Sequence, residues 1–171
     1  MPNWLRRQIL DGPTTRHHNI ILPDGTLGRV TSIENETPDL IPLLAYLSSQ
    51  DPTVTRAYFC RPEIRHICKI PREGGFCGYR NIQMLSSFLR HPDVKATYGL
   101  NILPHGIPNI LELQNMIEHA WDLGFNSHGR LETGGIRGTR KYIGTPEVGA
   151  HLGITPCDCR LTGAAGTSLL S

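Results

Sequence analysis

Gly74-Gly75-Phe76-Cys77-Gly78-Tyr79-Arg80-Asn81-Ile82-Gln83-Met84-Leu85 is the stretch around which the chain is organised. A glycine pair permits a tight backbone approach. A cysteine follows, and after it apolar residues recur at helical spacing. Ile82, Leu85 and Leu89 share one face, and Met84 and Phe88 widen it. Cys77 therefore falls at or just before a helix N-terminus. There the macrodipole and the unpaired backbone N–H groups favour a thiolate. The glycines leave room for a substrate backbone to come close. A nucleophilic cysteine needs this setting. The alternative is a small buried hydrophobe near a helix start, since most free cysteines are inert.

The 171 residues suffice for one domain with a core of its own. Thirteen prolines and 18 glycines predict many turns. A formal net charge of +2 gives no reason to expect nucleic acid or an anionic membrane as partner. No run of about 18 apolar residues is present, so no transmembrane helix is expected. The start, Met1-Pro2-Asn3-Trp4-Leu5-Arg6-Arg7, lacks the apolar core of a signal peptide. Five cysteines (Cys60, Cys68, Cys77, Cys157 and Cys159) are an odd number. Free thiols in a reducing cytoplasmic or nuclear compartment are the expectation.

Along the chain, Trp4 to Leu10 reads as one amphipathic turn or two, ended by Asp11-Gly12-Pro13. His17-His18 is not read as a metal pair, because adjacent histidines point apart and nothing nearby has matching spacing. Asn19 to Leu22 and Leu27 to Ile33 read as strands joined by the turn Pro23-Asp24-Gly25-Thr26, hence a hairpin. A helix is expected next, with Thr37 as cap and Pro38 in its first turn. Its apolar residues Leu40, Ile41, Leu43, Leu44 and Leu47 are expected to pack into the core. Val54 to Cys60 and Ile64 to Ile70 read as strands. Ile64, His66, Cys68 and Ile70 would share one side of the second.

The Cys77 helix should run to about Arg90, where His91-Pro92 stops it. Tyr98 to Pro108 reads as a loop. Asn109 and Glu112 form a cap-like pair opening a helix whose Ile110, Leu113, Ile117 and Trp121 repeat at helical spacing up to Gly124. Arg130 to Lys141 carries four basic residues and three glycines, a composition that could cradle an anion or a partner's tail. It lacks phosphate-loop spacing, so a nucleotide site is not expected. Thr145-Pro146-Glu147 opens a last short helix through about Leu152. Cys157-Asp158-Cys159 has no second pair and is not read as a metal site. Gly163 to Ser168 reads as disordered filler.

The Cys77 stretch resembles the cysteine peptidase family of the ubiquitin-fold-modifier-specific proteases, above all its zinc-finger-containing ubiquitin peptidase branch and fungal relatives. The likeness lies in a glycine-flanked cysteine followed by Gly78-Tyr79-Arg80-Asn81-Ile82-Gln83-Met84-Leu85. Ile107 to Glu118 with Ala120-Trp121, Gly138 to Glu147, and Glu34 to Leu44 are similar to further family segments, in the expected order. The resemblance covers roughly residues 27 to 150. It implies an α/β (α+β) papain-like cysteine peptidase fold, present as its N-terminal portion. It implies cleavage after the C-terminal glycine of ubiquitin or a ubiquitin-like modifier, with those modifiers and their conjugates as partners. Cys77 would be the nucleophile and His66 an oxyanion-hole side chain. No metal or other cofactor is implied.

In domain terms, residues 1–26 would be an N-terminal extension, 27–152 an incomplete cysteine peptidase domain, and 153–171 a divergent tail. The family's general base is a histidine with an aspartate, well downstream of the cysteine. Papain-like enzymes place that histidine about 130–150 residues on. Of His91, His105, His119, His128 and His151, none has a matching context. The expectation is a deubiquitinase or modifier isopeptidase domain with impaired turnover, or a non-catalytic modifier-binding protein.

Overall fold

A computed structural model describes residues 1–98 and 106–152. His105, Cys157-Asp158-Cys159, the tail from 153 and most of the 98–108 loop lie outside the described residues. The elements are, in order, α1 (Asn3–Asp11), β1 (Thr15–Ile21), β2 (Leu27–Ile33), β3 (Glu36–Thr37), α2 (Leu40–Gln50), β4 (His66–Ile67), α3 (Cys77–Leu89), α4 (Pro92–Tyr98), α5 (Ile110–Asp122), α6 (His128–Thr133) and α7 (Thr145–Leu152). This mixture of helices and two small antiparallel sheets is the α+β class expected from the sequence. No described helix is long and apolar enough to cross a membrane.

The core forms around α5. Its Ile110, Leu113, Ile117 and Trp121 are buried along one stripe, as their spacing predicts. Against them pack Leu5 and Ile9 of α1, Phe76, Tyr79 and Ile82 around the start of α3, and Ile136. Each fully buried aliphatic side chain contributes about 1.5–3 kcal/mol. The start of α5 is a full capping box. Asn109 Oδ1 accepts from the Glu112 N–H at 3.0 Å, and Glu112 Oε2 accepts from the Asn109 N–H at 2.7 Å. Leu5 and Ile9 of α1 are buried in this core, while Arg6, Arg7 and Asp11 on its other side are exposed.

The hairpin pairs Asn19 with Arg29 and Ile21 with Leu27, and β1 begins earlier than expected, at Thr15. Asp24 holds its turn by accepting from the N–H and hydroxyl of Thr26. His17 bonds Thr31 and His18 bonds Ser32 across the ladder, both exposed.

Four local expectations are corrected. First, Val54 to Cys60 is not a strand. Tyr58 and Phe59 are exposed, and no described strand lies alongside to complete a ladder. Second, in Ile64 to Ile70 only His66 and Ile67 pair, with Thr37 and Glu36. The flanking N–H groups go elsewhere: Arg65 to Ser87 Oγ, Cys68 to the Asn35 carbonyl, Ile70 to Glu73 Oε2. Third, Thr37 belongs to β3 and cannot cap α2, which starts three residues later after Asp39 at φ 52°. Fourth, α2 buries no residue. Leu43, Leu44, Tyr46 and Leu47 are exposed rather than packed into the core. The buried face of α3 is also turned from its most apolar line. Tyr79, Ile82, Gln83 and Ser86 face inward, while Leu85 and Leu89 are half-buried.

Candidate active site

Cys77 is the first residue of α3, a 13-residue helix, and its side chain is exposed. It is flanked by the fully buried Phe76 and, two residues on, Tyr79. Their rings meet edge to face at 5.5 Å. These anchors seat the first turn of α3 in the core and leave the thiol on the surface at a helix start with no side-chain cap among the described residues. Burial pushes the Tyr79 pKa up to about 12, with smaller effects from Gln114 and the carboxylates of Glu147 and Glu118. It is a neutral core phenol.

The turn leading into Cys77 is held from inside. Glu73 and Arg80 are both buried and form a two-pronged ion pair. Arg80 Nε donates to Glu73 Oε1 at 3.0 Å and Nη2 to Oε2 at 2.5 Å. Glu73 Oε2 also accepts from the Ile70 N–H at 3.0 Å. Arg80 Nη1 donates to Gln83 Oε1 at 2.8 Å, and Gln83 Nε2 donates to the Pro108 carbonyl at 2.7 Å. Sequence reading did not single out these three residues. The available signal was Arg80 and Gln83, two polar residues three apart and so on one face of the expected helix.

The glycines do not stand over open space. Residues 140–143 cross them as a strap. A Cβ on Gly74 would run into the Arg140 guanidinium. One on Gly75 would lie 2.8 Å from the Tyr142 ring, and one on Gly78 would lie 2.7 Å from both Cγ1 and the carbonyl oxygen of Ile143. The room expected there for a substrate backbone is partly taken by this chain's own strap, with Tyr142 largely exposed.

The strap is set by α5. Gln114 Oε1 accepts from the Gly138 N–H at 2.8 Å, and Gln114 Nε2 donates to the Thr139 carbonyl at 3.1 Å. One turn on, Glu118 Oε1 accepts from the Ile136 N–H at 2.6 Å and from the Arg137 N–H at 3.4 Å, and Glu118 Oε2 from Arg130 Nη2 at 2.6 Å. Lys141 Nζ is spent on the carbonyls of Thr133 and Gly135. The basic, glycine-rich stretch thus does cradle an anion, and that anion is the buried carboxylate of Glu118. Burial pushes the Glu118 pKa up, but the Ile136 N–H, Arg130 and the Arg137 N–H together hold it below the ordinary carboxylate value.

Arg65, the neighbour of His66, donates its N–H to Ser87 Oγ, ten residues beyond Cys77 on α3. His66 pairs with Thr37, and its Nδ1 is buried without a partner among the described residues. No hydrogen bond joins Cys77 to a histidine among the described residues. His91 faces Asp93 at 3.7 Å, His128 faces Glu132 at 3.3 Å, and His119 is exposed on α5. Cys68 is exposed, with its thiol on the Asn35 carbonyl. No group of three His, Cys, Asp or Glu among the described residues could hold a metal. A cavity of about 340 Å³ is lined by Arg80, Gln83 and Asn35 together with Ile9, Ile70 and Ile110, but not by Cys77.

A family profile described as peptidase family C78 matches residues 53–170. That range runs past Ala150, where the likeness read from the sequence stops. The protein called zinc finger-containing ubiquitin peptidase 1 in Mus musculus is 37% identical over 102 residues, covering 56% of this chain and 17% of that protein. Its Homo sapiens counterpart is 40% identical over 77 residues, covering 44% of this chain and 13% of that protein. The chain spans less than a fifth of the length of these relatives.

Proposed function

The chain belongs to peptidase family C78, and from that premise we propose that Cys77 is the nucleophile of a thiol isopeptidase site acting on ubiquitin or a ubiquitin-like modifier. The observation that carries this reading is the exposed thiol at the first position of α3, on a turn anchored by Phe76 and Tyr79. The thiolate adds to the carbonyl carbon of the modifier's last glycine. Unpaired N–H groups of the first helical turn face the negative charge that develops. The carbon–nitrogen bond then breaks, a thioester forms, and the amine leaves with a proton. Water hydrolyses the thioester and releases the modifier. A reducing cytoplasmic or nuclear setting would keep the thiol free.

The departing amine needs a proton donor, and the thiol needs a base. With no histidine bonded to Cys77 among the described residues, this chain is proposed to form the covalent bond but to turn over slowly. Loss of a histidine base typically costs on the order of 10⁶-fold in rate. The same observation favours a second reading, in which the chain binds a modifier without cleaving it.

The test is adduct formation read by intact mass. Wild-type protein and Cys77→Ala would be mixed with ubiquitin carrying a C-terminal thiol-reactive group, and in parallel with the ubiquitin-fold modifier prepared the same way. A Cys77-dependent adduct is expected with one of them. No adduct with either, from protein that is folded by circular dichroism, would refute the nucleophile reading. Saturable binding retained by Cys77→Ala, without an adduct in wild type, would leave the binding reading. His66→Ala tests the oxyanion role that the family resemblance implies: a tenfold or greater loss of adduct rate would support it, and an unchanged rate would remove it.

A further inference from the structure

We infer that Glu73, Arg80 and Gln83 are positioning residues for Cys77, a lock that sets where the thiol and the adjoining helix N–H groups stand. The inference rests on Cys77 being the nucleophile. Glu73 precedes Cys77 by four residues and Arg80 follows it by three, so their ion pair closes a loop with the thiol at its outer edge. Both charges are buried, which in most settings gives no more stability than apolar packing of the same volume. What such a pair supplies here is direction. Two parallel bonds to one carboxylate fix both the distance and the orientation of the two segments.

The backbone around Glu73 needs that constraint. Arg72 has φ 62° and Gly74 has φ 81°, so the chain changes hand on both sides of Glu73. A non-glycine residue such as Arg72 is held in that region only where its surroundings over-determine it. Here the Glu73 carboxylate does so, by accepting from the Ile70 N–H and from Arg80 at once. Gln83 carries the chain of bonds on to the Pro108 carbonyl, next to the cap of α5. Loop, first turn of α3 and start of α5 are tied into one unit. If the lock is released, Arg72 relaxes and Gly75 and Phe76 shift, and the thiol moves with them relative to the strap.

The test compares Glu73→Gln and Arg80→Lys with wild type in the full chain. Hydrogen exchange is read separately over residues 70–79 and over α5. Cys77 is labelled in parallel with iodoacetamide, which needs no docking, and with the ubiquitin electrophile, which does. In Glu73→Gln, exchange over 70–79 should rise about tenfold or more, the loss expected for bonds to a buried charge, with α5 within about twofold. The electrophile adduct should slow by a similar factor, with iodoacetamide labelling within about twofold. Arg80→Lys keeps the charge and should fall between. Unchanged exchange over 70–79 would overturn the inference. So would equal acceleration in α5, which would make the pair merely structural. Should Glu73→Gln not fold, Gln83→Met removes only the outer links and is held to the same pattern. A wild type that forms no adduct would fail the proposed function, and the exchange pattern would still decide whether the lock holds the loop.

Discussion

Gly78→Ala separates packing from backbone propensity at the site. Gly78 lies in the first turn of α3, and its φ is not in the left-handed region. On propensity alone, alanine would be favoured in a helix by up to about 1 kcal/mol. The strap reverses the sign. The new Cβ would lie 2.7 Å from Ile143 Cγ1 and 2.7 Å from the Ile143 carbonyl oxygen. The carbonyl is backbone, and the N–H of the same peptide group, that of Gly144, is held by Glu147 Oε2 at 2.7 Å. Overpacking of this kind costs about 1–3 kcal/mol. After the gain in propensity, a net loss of up to about 2 kcal/mol remains. For a chain of this length that lowers the melting temperature by up to roughly 8 °C.

Gly75→Ala is the control. Its Cβ would come as close, 2.8 Å, but to the ring of Tyr142. That side chain is 71% exposed and can swing outward. Gly75 is itself buried, but its new neighbour is a movable ring rather than backbone, so the expected loss is smaller than for Gly78→Ala. The assay is thermal unfolding of both variants and wild type by circular dichroism under identical conditions. A Gly78→Ala protein that melts at or above wild type would refute the reasoning, since it would mean that the strap does not lie on α3. Equal losses in both variants would refute the distinction between a backbone neighbour and a movable ring.

Three further outcomes follow from charge and exposure. Because the folded Glu118 pKa lies below its ordinary 4.5, the carboxylate contributes stability above that pH and loses it as the pH falls through the folded value; urea unfolding should place Glu118→Gln about 1–3 kcal/mol below wild type at neutral pH, with the gap closing in acid, and a constant gap would contradict this. Tyr79, with its pKa raised from 10.0 to about 12 by burial, contributes stability that is full below about pH 10 and lost as the pH climbs towards 12; Tyr79→Phe should lose less between pH 9 and pH 11, measured by the same unfolding midpoints. Leu43→Lys and Leu47→Lys on α2 should shift stability by no more than about 0.5 kcal/mol each, because neither residue is buried; a loss above about 2 kcal/mol would mean that α2 packs as a core helix.

What could be read from the sequence follows from how local the signals were. The capping box at Asn109 and Glu112, the stripe Ile110–Leu113–Ile117–Trp121 and the turn at Asp24-Gly25 each lie within a few residues, and each is found in the structure. The position of Cys77 at a helix start was legible for the same reason. The failures needed partners that spacing cannot supply. Val54 to Cys60 has strand composition but no neighbouring strand among the described residues. Leu40 to Leu47 has an apolar face but nothing that buries it. Thr37 would cap a helix if it were not paired with His66. The basic residues after Arg130 suggested a site for a foreign anion because their partner, Glu118, lies on another helix. The role of Glu73 was hidden because an acidic residue before a glycine pair usually reads as surface.

On the proposed reading of Cys77, the same long-range contacts explain why presenting the thiol and activating it are separable. One side of α5 buries Ile110, Leu113 and Ile117 against α1 and the start of α3. A polar edge of the same helix, Gln114 and Glu118, holds the backbone of residues 136–139. From there the strap reaches the glycines on either side of Cys77. Among the described residues, none of the contacts that set the thiol in place involves a histidine. Geometry around Cys77 therefore stands without a general base, whereas proton transfer to a leaving amine does not. Covalent capture draws on the first and turnover on both. An activated C-terminal electrophile needs no proton for its leaving group, so it reports on the assembled nucleophile alone, and comparing its rate with the cleavage rate of an isopeptide bond measures what the base contributes.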